Sequence, residues 1–428
     1  RALGTTTIPA VISNTIKGIA AGFSNGPVYD PRTGGPMPTF AVTYASGGTY
    51  GSVITDTGDV WDDGGSAGTG DNDCAIDNGR VYQVEFNGGT LPILWQSVRI
   101  SRINTDAWNT GGVFRSSTGP YTYCFELDNG FSIVNGKVAT ANSSGLTIGS
   151  VDDAADAEYG ENLNALIKRT FNTGMLPADT RLCLYANSKT ADRGPYGNSV
   201  GENGTLTLAA AETGSEIQAV SGFSASNYSR KGYDADFDFS STGFSIAFWI
   251  KSSGTAVAEY FVHRARPAPG TNAQIYVKFQ SSGKIEFTQS TTVTDSAVSA
   301  NAYDDGKWHF VVCRRGDFTL GGSSGTPFEL YVDGVLDGED TSMNIGGSLD
   351  DASATLSIGI DSDTANPATS STMSLLRISK SVPTAAQIRQ MYDAEKGMFV
   401  PNAKCLLQGA TDAVLHNDID PITGNVIA

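Results

Sequence analysis

Alternation of apolar and polar residues through residues 242–399 constrains the fold of this chain more than any other feature. Side chains of a β-strand point alternately to its two faces, so a period of two buries one face and leaves the other to solvent or ligand. Residues 244–250 are the clearest case, because every second residue from Phe244 onward is Phe or Ile. Several such strands separated by Gly-, Ser- and Asp-rich turns predict a β-sandwich. The further segments are residues 274–279, 284–287, 307–312 and 329–334.

Length, glycine content and charge bound the classes of fold and partner. At 428 residues the chain is too long for one core, so we expect two or three domains. Its 50 glycines supply turn chemistry, and a charged fraction of 17% is ordinary for a β-rich protein. The net charge of −17 argues against binding nucleic acid or an anionic membrane surface, since both need basic residues. The alternative is that acidity only keeps a glycine-rich surface soluble.

The five cysteines are widely spaced, and no two of them form a CxxC pair. Cys124, Cys183 and Cys313 lie inside apolar runs, whereas Cys74 and Cys405 stand apart. We therefore predict buried free thiols and folding in a reducing compartment.

The chain contains no run of about 18 apolar residues, so no membrane span is expected. It begins at Arg1 without a Met and ends in a strand-like run. We expect either a piece of a longer polypeptide or a chain with disordered ends.

Three hairpin-like segments indicate how the N-terminal part is organised. Residues 54–61, 75–82 and 127–133 each read as strand, Asp-x-Gly and strand, which is tight-turn chemistry. A propeller blade takes about 40–45 residues, so the irregular spacing of these turns is compatible with degenerate blades. Unrelated hairpins in one β-domain are the alternative. We predict a lead-in over residues 1–25 and a propeller-like β-repeat domain over residues 26–170.

An internal repeat links the two ends of the chain. The sequence Asp-Pro-x-Thr-Gly occurs at residues 30–34 and again at residues 420–424. We therefore expect residues 401–428 to return to the β-repeat domain after the sandwich.

Two helices are expected among the strands. Acidic residues lead into residues 162–169, where the Leu and Ile side chains share one helical face. Thr384 and Gln387 form a capping box for a second helix, and Gly397 supplies its C-terminal stop. The sandwich is then predicted over residues 171–400, and the fold class is all-β with few helices.

The sandwich strands also place aromatic side chains on the face opposite the predicted core. Trp249, Tyr276, His309 and Tyr331 are assigned to this face by alternation. An aromatic ring stacks on the apolar face of a sugar while neighbouring polar groups bind its hydroxyls, so these four are the candidate ligand-binding residues. The alternative is that they pack under the second sheet or against the helix near 384–396.

We expect no organic cofactor, and calcium is the candidate metal. Acidic loops would supply its ligands. Asp192, residues 350–351 and residues 361–363 carry the carboxylates that calcium prefers. No EF-hand spacing is present, so we assign no metal-binding residue, and solvated turns are the alternative reading.

The sequence contains no recognisable catalytic motif, so we expect no enzyme. The three histidines form no HxH or HxxxH pair, and neither a Gly-x-Ser-x-Gly elbow nor a P-loop is present. The Glu-x-Asp-x-x-Glu arrangement of some sandwich glycosidases is also absent. Sequence spacing does not test whether two carboxylates lie about 5–10 Å apart, as glycoside hydrolysis requires.

Five segments between residues 187 and 400 carry a resemblance to a known family: residues 192–198 before 203–206, residues 244–250, 306–312, 330–334, and 375–379 followed by the capped helix. Through them, residues 187–400 resemble a concanavalin A-like, or laminin G-like, domain. The resemblance implies a jelly-roll sandwich of the lectin type.

Residues 56–61 resemble part of the Asp box of sialidase propellers. That box is a structural turn, so this resemblance implies blades rather than activity.

A narrower resemblance rests on residues 219–228, residues 386–396 with 408–414, and residues 30–52, although Gly- and Asp-rich turns are inserted between 45 and 73. Through these segments the chain resembles tail-fibre and tail-spike proteins of tailed bacteriophages. This resemblance implies a virion protein, assembled in the host cytoplasm, that works as a homotrimer beside other tail proteins and binds a host-surface glycan. The alternatives are a structural fibre-shaft or capsid-decoration component without ligand, and a polysaccharide depolymerase.

Overall fold

The computed structural model separates the chain into two compact units, residues 1–162 with 410–428, and residues 163–409. It describes residues 16–23, 27–44, 51–57, 60–62, 73–77, 80–85, 94–99, 113–115, 130–134, 137–142, 145–150, 163–177, 179–239, 242–254, 257–265, 274–290, 294–316, 328–341, 349–414, 418–419 and 426–427.

The described residues form β-strands almost throughout, with a single α-helix, which confirms the all-β class with few helices. In chain order the elements are β1 (Ile16–Gly22), β2 (Thr39–Tyr44), β3 (Gly51–Ile54), β4 (Val60–Asp62), β5 (Asp73–Asp77), β6 (Arg80–Glu85), β7 (Leu94–Arg99), β8 (Val113–Arg115), β9 (Gly130–Val134), β10 (Lys137–Asn142), β11 (Gly145–Ser150), β12 (Leu163–Ile167), β13 (Leu176–Pro177), β14 (Thr180–Leu184), β15 (Gly201–Asn203), β16 (Thr207–Ala210), β17 (Gln218–Ser221), β18 (Tyr228–Lys231), β19 (Phe244–Ser252), β20 (Glu259–Ala265), β21 (Gln274–Phe279), β22 (Lys284–Ser290), β23 (Thr294–Ala302), β24 (Trp308–Arg315), β25 (Phe328–Val332), β26 (Val335–Asp340), β27 (Thr355–Ile358), β28 (Ser371–Ser379), α1 (Ala385–Glu395), β29 (Asp418–Ile419) and β30 (Val426–Ile427).

The first unit is built from antiparallel hairpins. Strands β1 to β4 form one sheet, β5 to β8 form a second, and β9, β10 and β11 pair in sequence order. The hairpins predicted at residues 54–61 and 75–82 are confirmed by the pairing of β3 with β4 and of β5 with β6. Among the described residues of this unit no closed barrel or propeller is found, so the propeller-like β-repeat domain expected over residues 26–170 stays a prediction.

Two other predictions for this part fall partly outside the described residues. The first Asp-Pro-x-Thr-Gly copy forms a turn, closed by the bridge between Tyr29 and Pro36 and by a hydrogen bond from the Gly34 amide to the Asp30 carbonyl. The second copy, at 420–424, and the hairpin turn near 127–129 lie outside the described residues.

The second unit is a sandwich of two antiparallel sheets, as the alternation predicts. Sheet I has the strand order β16-β17-β28-β19-β24-β25-β26, and β14 also pairs with β28. Sheet II has the order β15-β18-β27-β20-β21-β22-β23. The inward side chains of both sheets form one apolar core, which includes Phe244, Phe248, Val277 and Phe287. This interior confirms the core face predicted for residues 244–250 and 274–279.

The outer face of sheet I is covered by a second apolar layer. Helix α1 lies over it together with residues from β12, the segment that follows β12, and the turn after the helix. The Gln387 amide donates to Thr384 Oγ1, and the Thr384 amide donates to Gln387 Oε1, so the predicted capping box is confirmed. The helix buries Ile388 and Met391 against the sheet.

The helix predicted around residues 162–169 is wrong, because Leu163–Ile167 is the strand β12. The Leu, Asn and Ala side chains of this strand are buried on both of its faces. A strand buried on both faces has a continuous apolar run, which sequence alone does not distinguish from the apolar face of a helix. Thr173 closes the hairpin, because its amide donates to the Leu166 carbonyl and its hydroxyl oxygen accepts from the Leu166 amide. Pairing of β12 with β13 therefore overrides the helical propensity of residues 162–169.

Four of the five cysteines lie in the described residues, and none is in a disulfide. Cys74, Cys183 and Cys313 are buried and Cys405 is half-buried, in line with the predicted free thiols, while Cys124 lies outside the described residues. Burial raises the pKa of the Cys405 thiol to about 11. In the part of the chain that the structure describes, no helix has the length and apolar character that crossing a membrane needs.

Candidate functional site

A row of polar and aromatic side chains runs straight across the outer face of sheet II. Neighbouring strands pair in register, so each residue of the row lies opposite the next, at a spacing of about 4.8 Å. Ile275 and Val277 point into the core, which directs Tyr276 between them outward. From β18 to β23 the row is Arg230, Ser357, His263, Tyr276, Thr288 and Ser296.

Three aromatic rings meet at the middle of this row. The ring centroid of Tyr260 lies 5.2 Å from that of His263 and 5.2 Å from that of Tyr276, and the His263 and Tyr276 centroids are 5.8 Å apart. The Lys278 ammonium lies 4.8 Å from the Tyr276 ring centroid and 5.3 Å from that of Tyr260, which is cation–π geometry. We name Tyr260, Tyr276, Lys278 and Glu286 the tyrosine platform; all four are half-buried.

Glu286 is the hydrogen-bond acceptor of the platform. Its carboxylate accepts from the Tyr276 hydroxyl at 3.1 Å, from Gln280 Nε2 at 2.7 Å and from Thr288 Oγ1 at 3.0 Å, and Lys278 Nζ lies 3.4 Å away. Burial alone would raise the pKa of Glu286, but the Gln280 hydrogen bond and the Lys278 charge outweigh it, so the pKa is lowered. The platform therefore holds a fixed carboxylate beside a fixed ammonium.

A loop at residues 361–366, here named the rim loop, borders the platform. The Ser362 amide donates to His263 Nδ1 at 2.8 Å, and Arg230 Nη2 donates to the Ser362 carbonyl at 3.2 Å. The amide of Tyr260 donates to the Asn366 carbonyl at 3.2 Å. Three hydrogen bonds thus attach the rim loop to two strands of sheet II, β18 and β20, and His263 beneath it is 5% exposed.

Trp249 and Tyr331 lie on the face predicted for them, opposite the core, but they do not face solvent and so do not form the predicted ligand surface. Both point to the outer face of sheet I, as alternation predicts, but that face lies under α1, and they are only 2% and 4% exposed. Trp249 stacks on Phe399 with centroids 4.2 Å apart, and its Nε1 donates to Glu395 at 2.7 Å. The alternative made from the sequence, packing against the helix, is the arrangement found. Tyr276 lies on the opposite side of the sandwich from these two residues.

His309 also lies away from the platform, and its predicted face is wrong. It pairs with Ile250, and alternation along β24 places it on the same side of sheet I as Val311 and Cys313, at the end of the core. Its Nδ1 lies 2.8 Å from an Asp333 oxygen and its Nε2 lies 3.1 Å from an Asp305 oxygen. His309 thus links the turns that contain Asp333 and Asp305, and it does not contact the other predicted site residues.

The acidic loops considered as calcium ligands use their carboxylates in turns. Asp192 accepts from the amides of Cys183, Gly194 and Asn198. Asp361 accepts from the Ala365 amide and from the Asn366 side chain. Across the described residues, no group of three or more His, Cys, Asp and Glu side chains is arranged to hold a metal ion.

Sequence reasoning found Tyr276 but missed the other members of the platform. Lys278 and Glu286 were available from the same period-two pattern, since Lys278 is two residues from Tyr276 and Glu286 pairs with Lys278. Tyr260 was hidden by the bulge between Tyr260 and Val262, which shifts the register of β20 and disturbs its alternation.

Comparisons with known proteins match the sandwich. Residues 224–389 match the family described as the Concanavalin A-like lectin/glucanases superfamily. No curated protein matches the chain. Similar solved structures include the binding domain of Paraclostridial Mosquitocidal Protein 1 (10% identity, TM-score 0.40, 50% of this chain and 52% of that one). The botulinum neurotoxin serotype C1 binding domain is another (16% identity, TM-score 0.37, 50% and 52%).

The chain spans about half the length of these solved structures. The family match and the two stacked antiparallel sheets agree on the fold of the second unit. Residues 224–389 therefore have a fold consistent with the concanavalin A-like type.

Proposed function

We propose that the second unit recognises a glycan non-covalently through the tyrosine platform. The observation that carries this proposal is the side-by-side placement of two half-buried tyrosine rings, an ammonium and a carboxylate on one sheet face. Tyrosine rings offer apolar faces to the C–H side of a sugar ring. A sugar hydroxyl can accept a hydrogen bond from the Lys278 ammonium or donate one to the Glu286 carboxylate.

The same geometry favours binding over hydrolysis. A glycosidase general acid must hold a proton near neutral pH, which requires a raised carboxyl pKa. The hydrogen bonds and charge around Glu286 lower its pKa instead, so this carboxylate stays ionised and accepts hydrogen bonds. A depolymerase is therefore the less favoured alternative at this face.

We further propose that recognition serves attachment of a bacteriophage virion to its host. The support is the sequence resemblance of residues 30–52, 219–228 and 386–396 to tail-fibre and tail-spike proteins. On this proposal the chain acts in the virion beside other tail proteins, and a homotrimer raises weak affinity per site through multivalency. A shaft or capsid component without ligand is the competing role.

The test is binding of the full chain to an array of purified bacterial surface polysaccharides, followed by measured affinities for the glycan that binds most tightly. We expect binding to at least one polysaccharide. We expect Tyr276→Ala to weaken it about tenfold, since losing one stacked ring costs about 1.4 kcal/mol. Tyr233→Ala is the matched control, because Tyr233 is an exposed tyrosine that contacts Asp238 and not the platform.

Two outcomes would overturn the proposal. One is the absence of binding to every polysaccharide by a chain that unfolds cooperatively. The other is binding that Tyr276→Ala and Tyr233→Ala weaken equally. Release of reducing ends from the bound polymer would replace binding by depolymerisation as the function.

A further inference from the structure

His263 connects the tyrosine platform to the rim loop. It is 5% exposed and lies on sheet II between the outward residues of β27 and β21. Its ring packs edge-on against Tyr276 and tilts against Tyr260, so its position sets the positions of both tyrosine rings. A residue in this place acts on a ligand through the tyrosines and not by direct contact.

The hydrogen bonds of His263 require a neutral ring. Ser362 donates its backbone N–H to Nδ1 at 2.8 Å, and a backbone amide has no other role than donor. Nδ1 must therefore carry a lone pair, and the proton sits on Nε2, which donates to Gln274 Oε1 at 3.2 Å. A proton on Nδ1 would make it a donor, and it would then face the Ser362 N–H donor 2.8 Å away.

The rim loop is a closed turn with further attachments to sheet II. Its own turn is closed by Asp361, which accepts from the Ala365 amide at 2.7 Å and from Asn366 Nδ2 at 2.6 Å. The bond from Arg230 to the Ser362 carbonyl and the bond from the Tyr260 amide to the Asn366 carbonyl are its other attachments to the sheet. The Ser362 bond is the attachment that depends on the protonation of a group near neutral pH.

We infer that His263 is a positioning residue for the tyrosine platform, which holds the rim loop at Ser362 while its imidazole is neutral and releases this attachment on protonation. The consequence for ligand affinity rests on the proposed function. The release itself is a property of the unliganded chain, so it is measured without a glycan.

The charges around His263 set the pH range of this release. Burial lowers the pKa of His263 below its usual value and outweighs the hydrogen bond with Gln274 and the nearby acids. The neutral form therefore persists through neutral pH. The attachment of Ser362 is complete above the ordinary histidine pKa of about 6.5 and is lost as pH falls through the lowered pKa of His263. The titratable or charged groups that face the ring are Asp361 and Asp363 on the rim loop, Arg230 on β18, Tyr276 on β21 and Tyr260 on its own strand.

The test combines two measurements on the full, unliganded chain. The first is the NMR titration of the three histidines, with the His263 resonance identified by its absence in His263→Asn. The second is hydrogen-exchange protection of the Ser362 amide between pH 8 and pH 4.5. We expect His263 to titrate below the ordinary range, and we expect protection at Ser362 to fall about tenfold per pH unit below the pKa of His263.

The variant His263→Asn keeps an acceptor oxygen at the position of Nδ1 but takes up no proton. We expect it to remove the pH dependence of Ser362 protection. His309→Gln is the matched control and should leave that dependence in place, because His309 does not contact the rim loop. A His263 pKa at or above the ordinary value, or protection at Ser362 that is constant across the titration, would overturn the inference. Either result would leave glycan binding by the platform to its own test.

Discussion

At the scale of single residues, the best-defined interaction of the second unit is a buried ion pair beneath helix α1. Glu395 and Arg377 are both fully buried and form a two-pronged contact. The Glu395 carboxylate also accepts from Trp249 Nε1 and from the Met175 amide, each at 2.7 Å. A carboxylate with this many donors links the helix, sheet I and the segment after β12, which explains why Trp249 is a structural residue.

We predict that Glu395→Gln lowers the free energy of unfolding by about 3–5 kcal/mol, because it leaves the Arg377 charge buried without a counter-charge. Denaturant unfolding of the full chain measures the effect on the second unit. Asp393→Asn on the same helix is the matched control, since Asp393 is exposed and its pairs with Arg389 and Lys396 are in solvent. Equal unfolding midpoints for Glu395→Gln and Asp393→Asn would contradict the assignment.

His309 gives a pH dependence opposite in sign to that of His263. Burial alone would lower its pKa, but hydrogen bonds to Asp333 and Asp305 outweigh burial, so the pKa is raised. The charged ring therefore stabilises the fold fully below the unfolded pKa of about 6.5, and this stabilisation is lost as pH rises through the folded pKa. The difference in unfolding free energy between wild type and His309→Gln should shrink as pH rises from 5.5 to 8.5. A difference that grows with pH would contradict this account.

At the scale of elements, the two sheets meet along their last strands, and side chains seal this edge. Asp337 of β26 accepts from the Ala300 amide of β23 at 3.1 Å, and Asp340 accepts from the Ser296 amide at 3.4 Å. These carboxylates use N–H groups that an edge strand would otherwise offer to another chain. Gly338 allows the close approach, because a Cβ there would lie 2.5 Å from the Val298 carbonyl oxygen.

We predict that Gly338→Ala lowers the free energy of unfolding by about 1–3 kcal/mol, because the methyl group would meet backbone that has no room to move. Thermal or denaturant unfolding measures it. Gly397→Ala is the control, since a Cβ at Gly397 meets nothing within 4 Å. If Gly338→Ala is as stable as Gly397→Ala, the edge is not as tightly closed as the contacts imply.

Elements were predictable from the sequence where their signals are local. The capping box of α1 depends on Thr384 and Gln387 alone, and both residues act as predicted. The strand β12 was not predictable in this way, because Leu163–Ile167 carries an apolar pattern that either a helix or a strand buried on both sides satisfies. Its pairing with β13 makes the segment a strand, and the apolar pattern of residues 163–167 does not identify that partner.

At the scale of the whole molecule, the sequence predicts the sandwich but not which outer face is open to a ligand. Alternation places both Trp249 and Tyr276 on the outward faces of their strands, and it does not distinguish a covered face from an open one. Helix α1 and the residues near Phe399 then cover sheet I, and this choice depends on long-range packing. Of the four candidate residues predicted from the sequence, Tyr276 alone therefore belongs to the tyrosine platform.

We propose the tyrosine platform of sheet II as the ligand-binding face of the sandwich. The decisive experiment is a crystal structure of the chain with the oligosaccharide selected on the polysaccharide array. We predict a sugar ring against Tyr260 or Tyr276, with hydroxyl groups within hydrogen-bond distance of Lys278 and Glu286. A sugar bound elsewhere, with the platform free, would rule out this face as the binding site.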